Sequence, residues 1–542
     1  MSQFKDSIVN NIPVHKWIVF VFDTIIAVAA MALAGYLVKR LSINTGSLKT
    51  SYQLLLAAVT YAIFFYFFKT GNAIPKRADF KYVLRSLDAI SGSFIALMLL
   101  NLFLKMTGKP PLISNIVLIL STVASIFMIG GYRFIAVLLL RQIADNGSDK
   151  PSGTAVATLL DVNNDYQRHS NPVLQIIKAK RILITGAAGS IGSGLAHQIT
   201  ALNHAQLILC DQSENGLYEL EYALTSRYPA AAKPVIFIGD VRNQAVMENL
   251  FLKYKPQVIF HAAAYKHVPM MEAHPSEAIR NNVYGTKVMA DLALKYKAER
   301  FLLVSTDKAI NPTNVMGASK RIAEMYVQAV SGTQNGGQVR DDKNGKAIPQ
   351  TKFITTRFGN VAGSNGSVIP RFKEQIAAGG PVTVTHPDIT RYFMTLPEAC
   401  ALVLEAVAIG NGSEVYMFDM GEPVKISDLA NKMIIQAGLK PAVDIKVKYI
   451  GLRPGEKLYE ELLNKDEELI SKDNKKILVA KVPVYDFEII DNAISILLQA
   501  AADNNDEAVV QQMKRIVSEY ISNNSVYESL DKIDNPTVMA TS

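Results

Sequence analysis

The chain has 542 residues, more than one compact hydrophobic core usually supports, so at least two structural regions are expected. Its formal net charge is +8, but the 56 lysines and arginines are scattered and form no basic stripe interleaved with aromatic residues, which argues against nucleic acid as a partner. The two cysteines, Cys210 and Cys400, lie in apolar surroundings and are expected to be buried free thiols.

Apolar residues crowd into the first 140 positions of the chain. Four segments there reach or approach the roughly 20 residues that a helix needs to cross a bilayer. The first segment is too long for a removable signal peptide, and it lacks the cleavage site of small residues that such a peptide carries. We therefore predict an all-α transmembrane region over residues 1–143, with a lipid bilayer as partner and four helices over residues 16–38, 51–68, 83–104 and 112–133.

A few charged residues lie within or near these predicted spans. Charges inside a membrane can mark a transport path, so a transporter is one alternative. Arg85 and Asp88 lie near a helix end, however, where their side chains can reach the interface. We expect Asp23 to be a packing or lipid-sorting residue.

Residues 144–178 are polar and are predicted to form a linker with one short helix. Directly after it, Arg181–Thr185 is a short β-branched run, and a Gly-x-x-Gly-x-x-Gly segment from Gly186 to Gly192 leads into a helical pattern. Glycines in such a turn let backbone N–H groups approach a pyrophosphate, which also benefits from the positive end of the helix dipole. The placement of the turn between strand and helix predicts a dinucleotide cofactor.

A second predicted strand, over residues 206–210, is followed by Asp211. An acid about 20 residues past the glycines can accept hydrogen bonds from the ribose hydroxyls and would repel a 2′-phosphate, so NAD is favoured over NADP. Further strand-like runs cover residues 235–238, 258–260 and 301–304 and alternate with helical periodicity. This alternation predicts an α/β fold with a doubly wound parallel sheet of the Rossmann type.

Two more motifs follow the later strands, Asp240-Val241 and His261-Ala-Ala-Ala264. With the glycine spacing they resemble the extended short-chain dehydrogenase/reductase family. A narrower resemblance, to the membrane-bound UDP-N-acetylglucosamine 4,6-dehydratases of bacterial polysaccharide and glycoprotein synthesis, rests on Ser305-Thr-Asp307-Lys308-Ala309, Asn311-Pro-Thr-Asn314, Met316-Gly-Ala-Ser-Lys320, Arg357-Phe-Gly-Asn360-Val361, Arg391-Tyr-Phe-Met394 and Arg453-Pro-Gly-Glu-Lys457.

The resemblance implies a catalytic domain over residues 179–465 that binds NAD and a UDP-sugar and includes a smaller substrate-binding region. A C-terminal helical segment and polar tail, residues 466–542, would follow, with helices over 487–501 and 507–521 and no assigned chemistry. The chain would be a multi-pass protein of the bacterial inner membrane with its catalytic domain in the cytoplasm, where soluble nucleotides are. A homo-oligomer is left open, because relatives commonly associate.

This sequence departs from the pattern of the larger family members in two places. It lacks their extra degenerate nucleotide-binding region between the membrane and the catalytic domain. Residues 332–350, rich in glycine, asparagine and charge, look like an insertion that forms a surface loop.

By resemblance, the cofactor would contact residues that follow the successive strands, and Lys320 would hold the nicotinamide ribose. The complete implied cofactor set is Gly186, Ala188, Gly189, Ser190, Ile191, Gly192, Asp211, Asp240, Val241, His261, Ala262, Ala263, Ser305 and Lys320.

The substrate would be held by Lys266, Asn360, Arg391 and Arg453, since a guanidinium can bind a diphosphate through two parallel hydrogen bonds. Each of these residues taken alone could equally form a surface salt bridge. His261, His267 and His274 lack matching carboxylate or cysteine geometry, so no metal is expected.

A 4,6-dehydratase oxidises the sugar at C4, eliminates water across C5 and C6, and returns the hydride to C6. The product expected here, with the C5 configuration retained, is UDP-2-acetamido-2,6-dideoxy-4-hexulose. By resemblance, Asp307 would protonate the leaving C6 hydroxyl and Lys308 would remove the C5 proton, which requires an amine with a lowered pKa.

Met316 stands where ordinary family members have a tyrosine that takes the hydroxyl proton, and this replacement is typical of the membrane-bound subgroup. The group that deprotonates the C4 hydroxyl is left open among Thr306, Asp307 and a chain of waters.

The nearest rival functions are a C5-inverting 4,6-dehydratase and a nucleotide-sugar epimerase. Both normally keep the tyrosine, and the C5-inverting relatives are typically soluble. A more distant alternative is a non-catalytic membrane scaffold that senses NAD or a UDP-sugar, for which Met316 is the best argument.

Overall fold

The computed structural model describes residues 16–68, 70, 81–135, 170–335, 350–462, 468–471, 476–483 and 485–532. By its internal contacts the chain divides into two compact units, Met1–Lys150 and Pro151–Ser542. Most of the predicted linker, most of the 332–350 insertion and the end of the polar tail lie outside the described residues.

The described part of the first unit contains four apolar helices, and each is long and apolar enough to cross a membrane. Only 22% to 33% of each span is buried inside the bundle, which leaves much apolar surface exposed, as suits contact with lipid. The four predicted helices are present as candidate membrane spans: α1 (Lys16–Arg40), α2 (Thr50–Phe67), α3 (Lys81–Met106) and α4 (Asn115–Ser125), the last continued by a π-helical turn (Ile126–Gly130).

Asp23 is fully buried in this bundle and forms an ion pair with Arg133. The Tyr132 hydroxyl donates to the same carboxylate, and Arg133 also donates to the carbonyl of Thr70 at 3.2 Å. A paired charge costs less in a membrane interior than an isolated one. Asp23 therefore joins two helices of the bundle, as a packing residue does.

The second unit holds thirteen helices among its described residues, apart from short π and 3₁₀ turns. They are α5 (Asn171–Ile177), α6 (Ser190–Thr200), α7 (Glu214–Arg227), α8 (Gln244–Tyr254), α9 (Val268–Ala273), α10 (Pro275–Ala278), α11 (Gly285–Lys295), α12 (Val315–Asn335), α13 (Val368–Ala377), α14 (Leu396–Ile409), α15 (Ile426–Gln436), α16 (Phe487–Ala502) and α17 (Asp506–Ile516).

Strands alternate with these helices along the chain. They are β1 (Arg181–Thr185), β2 (Gln206–Asp211), β3 (Val235–Ile238), β4 (Val258–His261), β5 (Arg300–Val304), β6 (Lys352–Arg357), β7 (Asn360–Val361), β8 (Val382–Val384), β9 (Thr390–Arg391), β10 (Phe393–Met394), β11 (Glu414–Phe418), β12 (Val424–Lys425), β13 (Val447–Tyr449), β14 (Glu468–Ser471) and β15 (Ile477–Lys481).

Nine of the described strands form one sheet in the order β14-β15-β11-β6-β5-β4-β1-β2-β3. The pairs from β3 to β11 are all parallel, whereas β15 and β14 add to the β11 edge as antiparallel strands. The predicted doubly wound parallel sheet is therefore confirmed. Its strand order reverses between β1 and β4, and such a switch point opens a crevice at the carboxyl ends of the strands, where ligands bind.

Helices cover both faces of the sheet, which explains why β1 and β4 are almost continuously apolar and buried. One hydrophobic core includes residues of α8, α11, α12, α16 and α17, and the other includes residues of α5, α6, α7 and α14. A third, smaller core gathers α13, α15, β8 and β13. Cys210 and Cys400 are both free and buried, as predicted.

The C-terminal helices complete the first of these cores. The predicted helix over 507–521 ends at Ile516, because the residues beyond it form hydrogen bonds with a distant loop. The N–H of Ile521 donates to the carbonyl of Pro312, and that of Asn523 donates to the carbonyl of Thr313, both at 3.2 Å.

Candidate active site

The glycine turn after β1 is built by close backbone packing. Gly186 has φ +67°, and a Cβ at this position would lie 2.6 Å from the amide nitrogen of Ala263. A Cβ at Gly192, in the first turn of α6, would lie 2.1 Å from the carbonyl oxygen of Gly186. Gly189 precedes α6 as its N-cap, so the turn aims the first N–H groups of this helix at the crevice.

Asp211 ends β2 beside this turn, and Asp240 follows the end of the neighbouring strand β3 by two residues. One oxygen of Asp211 accepts from the N–H of Ala188 and the other from the N–H of Ser213, both at 2.9 Å. Asp240 pairs with Arg242 at 2.7 Å. Burial opposes the charge on Asp240, but the hydrogen bonds and charge of Arg242 outweigh it and lower the pKa of this carboxyl.

A cleft lies at the switch point between β1 and β4, with about 520 Å³ of empty space that includes its part open to solvent. Seven residues of the predicted cofactor set line it: Gly186, Gly189, Asp211, Asp240, Val241, Ala262 and Ala263. The structure thus brings together the residues that were predicted from four separate strand ends.

Other members of the predicted set stand behind this cleft. His261 is fully buried, and its two ring nitrogens lie 2.8 Å from the Thr185 hydroxyl and 3.1 Å from the Thr286 hydroxyl. Burial and the nearby charge of Lys320 lower the pKa of His261 to about 3, so the ring is neutral. Its side chain braces β4 against β1, and only the backbone that follows it reaches the cleft.

In the first turn of α6, Ser190 accepts a hydrogen bond from the N–H of Asn365 at 3.1 Å, and the carbonyl of Ile191 faces Cys400. Ser305 is buried directly after β5, and its N–H donates to the carbonyl of Thr356 at 2.7 Å. These three residues support the turn and the strand ends around the cleft.

Asp307 and Lys308 follow β5 in a short 3₁₀ turn at the carboxyl end of the sheet. The amine of Lys308 lies 3.0 Å from Asp307 Oδ1 and 3.3 Å from an oxygen of Glu460. The Thr306 hydroxyl donates to the same Asp307 oxygen at 2.9 Å. Asp307 Oδ2 is buried with no hydrogen-bond partner among the described residues, and a Cβ at Gly359 would lie 2.9 Å from it.

The electrostatics of this pair are set by burial and by Glu460. Burial raises the pKa of Asp307 above its ordinary value; the charge of Lys308 opposes this shift, and the charge of Glu460 adds to it. Burial opposes charge on Lys308, but the carboxylates of Asp307 and Glu460 outweigh it and raise the pKa of the amine. The expectation of a lowered lysine pKa was therefore wrong for this arrangement.

Met316 and Lys320 lie on α12, which packs directly on the Asp307–Lys308 turn. A Cβ at Gly317 would lie 2.1 Å from the carbonyl oxygen of Lys308. Met316 is buried in the hydrophobic core, where its thioether has no acid–base role. Burial lowers the pKa of Lys320 to about 8, against the opposing charge of Glu324.

Two predicted substrate residues lie at the lysine. Asn360 accepts a hydrogen bond from the Lys308 amine at 3.3 Å. Arg391 is buried, donates to the carbonyls of Thr390 and Lys457 at 2.7 Å, and pairs with Glu460 at 3.4 Å. These contacts hold the 457–460 segment in place, and the contact of Arg391 with a diphosphate stays a prediction.

Lys266 and Arg453, the other two predicted substrate residues, lie near each other at the surface. Burial, and then the charges of Lys266 and Arg453, lower the pKa of His267. The Arg453 side chain is 44% exposed and lies 3.3 Å from Glu456. Lys266 and Arg453 can therefore meet an anionic ligand from solvent.

Two residues at this site did not emerge from the sequence. Glu460 lies just past the Arg453–Lys457 motif, and only the fold of that segment brings it to Lys308. Gly359 lies inside the Arg357–Val361 motif. Its position directly before Asn360, a predicted substrate residue, could have indicated that it belongs to the site.

Known proteins share this half of the chain. It is 49% identical over 306 residues to the capsular polysaccharide biosynthesis protein CapD of Staphylococcus aureus, across 56% of this chain and 49% of that protein. It is 46% identical over 317 residues to the probable polysaccharide biosynthesis protein EpsC of Bacillus subtilis, across 58% of this chain and 50% of that protein. The chain spans about half the length of these curated relatives.

The X-ray structure of Pen from Bacillus thuringiensis is similar with a TM-score of 0.51 and 31% identity, over 57% of this chain and 91% of that chain. Residues 182–482 match the family model described as polysaccharide biosynthesis protein, and these residues contain the glycine turn and the Asp307–Lys308–Glu460 cluster. Because this match covers more than half of the chain, the protein belongs to the polysaccharide biosynthesis protein family, as the resemblance of its motifs had indicated.

Proposed function

We propose that this chain is an NAD-dependent UDP-N-acetylglucosamine 4,6-dehydratase that retains the C5 configuration. The observation that carries the proposal is the pair of buried Asp307 and partly buried Lys308, with 3.0 Å between carboxylate and amine, at the carboxyl end of β5. Elimination of water beside a ketone needs an acid and a base within reach of one sugar. A simple C4 epimerisation has no use for such a pair.

The cleft at the switch point fits NAD. Gly186 and Gly192 let the turn close tightly, so that it aims the first N–H groups of α6 at the cleft, and Asp211 is placed to accept hydrogen bonds from the ribose hydroxyls. NAD bound there would supply a hydride acceptor for C4 and later a hydride donor for C6. Lys320 would hold the nicotinamide ribose.

The acid and the base arise together when one proton moves within the pair. Transfer from the Lys308 ammonium across 3.0 Å to Asp307 leaves a neutral amine beside a neutral carboxyl. Lys308 then takes the C5 proton, a C5–C6 double bond forms, and the C6–O bond breaks. The departing hydroxyl takes its proton from Asp307 and leaves as water, and Lys308 returns a proton to C5 after the hydride reaches C6. The proton that the C4 hydroxyl releases on oxidation, taken up through Thr306, Asp307 or a chain of waters, restores the ammonium of Lys308.

The surface cluster of Lys266 and Arg453 supports a diphosphate as the anionic part of the substrate. Partial burial lowers the pKa of Lys266, and an anion at this place would offset that cost. Asn360, bonded to Lys308, would contact the sugar close to the reacting carbons.

The four apolar helices support a place in the membrane, and the need for soluble nucleotides supports the cytoplasmic side of the bacterial inner membrane. CapD and EpsC are named for polysaccharide biosynthesis, which fits a sugar product destined for a surface glycan.

The test is to incubate the purified full-length protein with NAD and UDP-N-acetylglucosamine and to follow the sugar by NMR. We expect a 4-keto sugar with a C6 methyl group. Lys308→Met should abolish its formation, whereas Lys448→Met, at an exposed position on β13, should leave it intact. Conversion to the C4 epimer, or unchanged substrate with a folded protein that retains NAD, would contradict the proposal.

A further inference from the structure

Glu460 is a buried carboxylate that the proposed reaction does not yet use. Its side chain is 2% exposed. Oε1 lies 3.3 Å from the Lys308 amine and 3.4 Å from Arg391, whereas Oε2 is buried with no partner among the described residues. A buried carboxylate oxygen without a hydrogen-bond partner lowers the stability of the fold. We therefore expect Glu460 to have a role beyond packing.

The segment that carries Glu460 is held firmly against the site. Arg391 donates to the carbonyls of Lys457 and Leu458, at 2.7 and 3.2 Å. The Lys457 amine reaches back to the carbonyl of Ile310 at 3.0 Å, three residues after Asp307. These contacts fix the Glu460 backbone relative to the 3₁₀ turn of Asp307 and Lys308.

The cluster holds two carboxyl groups, Asp307 and Glu460, beside two cations, Lys308 and Arg391. Lys457, on the same segment as Glu460, adds a further positive charge that faces it. Arg391 bonds Glu460 and backbone carbonyls and keeps its proton, so Lys308 is the one of these two cations that can pass a proton to Asp307.

We propose that Glu460 is a positioning residue that holds the Lys308 amine beside Asp307 and keeps one exchangeable proton on that pair. The proposal rests on the proposed dehydration, in which the pair needs one mobile proton to act as acid and base together. Without the negative charge of Glu460, the pair would give up this proton at a lower pH, and the acid for the C6 hydroxyl would be missing there.

The first arm of the test measures Lys308 without any turnover. The full-length protein is treated with acetic anhydride over a range of pH, and acetylation of the Lys308 peptide is followed by mass spectrometry. Glu460→Gln should move the midpoint of Lys308 labelling down by about one pH unit, the size of effect that a charge within 4–6 Å typically has. Glu461→Gln, a half-exposed neighbour bonded to Asn311 and Lys457, should leave the midpoint unchanged.

The second arm measures incorporation of deuterium at C5 of the sugar from D₂O as a function of pH. The alkaline limb of this profile should move down by about one pH unit in Glu460→Gln and stay in place in Glu461→Gln. Glu460→Asp, which keeps the negative charge but draws the carboxylate back from Lys308, should shift the limb by less in the same direction. If Glu460→Gln fails to fold, Glu460→Asp supplies the same measurement.

A slower rate with unmoved labelling and an unmoved profile would overturn the proposal, because that is what a purely structural carboxylate would produce. A wild-type protein that is inactive on UDP-N-acetylglucosamine would overturn the proposed function, while a shifted Lys308 midpoint in Glu460→Gln would still support the coupling of the two residues.

Discussion

The turn that is expected to bind the dinucleotide depends on single residues, and Gly192 has the tightest surroundings of them. A methyl group there would lie 2.1 Å from the Gly186 carbonyl oxygen, closer than any real contact. We predict that Gly192→Ala displaces the turn and lowers retention of NAD at least tenfold. Gly332→Ala is the matched control, since this glycine is also helical and has nothing within 4 Å of its Cβ position. Absorbance or fluorescence of released cofactor measures the difference, and equal NAD content in both variants would contradict the assignment of the cleft.

The buried amine of Lys320 is expected to make the stability of the folded protein depend on pH. Its pKa is lowered to about 8 from an ordinary value of 10.5, so below pH 8 the folded protein keeps a buried ammonium at a cost. Between pH 8 and 10.5 the unfolded chain binds the proton that the folded chain has lost, so this penalty fades as the pH rises. Lys320→Met should therefore be more stable than the wild type at pH 7, by on the order of 2 kcal/mol, with a smaller advantage at pH 9.5. Thermal unfolding in detergent at the two pH values measures this, and an advantage independent of pH would rule out a buried charge as its source.

The residues of the site were predictable where a local motif carries them. Asp307 and Lys308 adjoin a strong strand pattern, so their place at the sheet edge followed from the sequence. The place of Glu460 and the contacts of Arg391 with the 457–460 segment did not, because both depend on how the 453–461 segment folds back on β9 and the 3₁₀ turn. No local pattern reports a contact between segments that lie so far apart in the chain.

At the scale of elements, β1 to β5 were predicted to within a residue, most clearly where both faces of the strand are buried, whereas β6 and β11 were not predicted. A run such as Ile182–Ile184 must then be apolar throughout. Strands β7 to β10 were not predicted, because two or three residues are too few to show the alternation of apolar and polar side chains that is typical of a strand. Helix α17 was predicted five residues too long, because hydrogen bonds to Pro312 and Thr313 displace the helical ones after Ile516.

The segment after α17 holds the loop that presents Arg453. The carbonyl of Asn523 accepts from the N–H of Gly455 at 2.8 Å, and the Asn524 side chain donates to the carbonyl of Leu452 at 2.7 Å. Asn524 has φ +51°, so Asn524→Gly removes the amide without adding backbone strain.

We predict that Asn524→Gly raises KM for the UDP-sugar roughly three- to tenfold with kcat little changed, because the loss falls on substrate binding. Asn504→Gly, a second left-handed asparagine that instead bonds Arg280, should leave both constants unchanged. Steady-state kinetics separate the two, and an unaltered KM in Asn524→Gly would show that the loop holds Arg453 without this segment.

At the scale of the whole molecule, a bundle of four apolar helices and an α/β unit belong to one chain. The ion pair of Asp23 and Arg133 accounts for buried charge in the bundle without a transport path. The chemistry is therefore expected in the second unit, where the cleft, the Asp307–Lys308 pair and Glu460 lie at one edge of the sheet.

The central claim is that a hydride leaves C4 of the sugar and returns to C6 of the same molecule. UDP-N-acetylglucosamine that carries deuterium at C4 tests this most directly, with the full-length protein and NMR detection of the product. We predict that the deuterium appears in the C6 methyl group of a 4-keto product. Deuterium that remains at C4, in unchanged substrate or in the C4 epimer, would contradict the account.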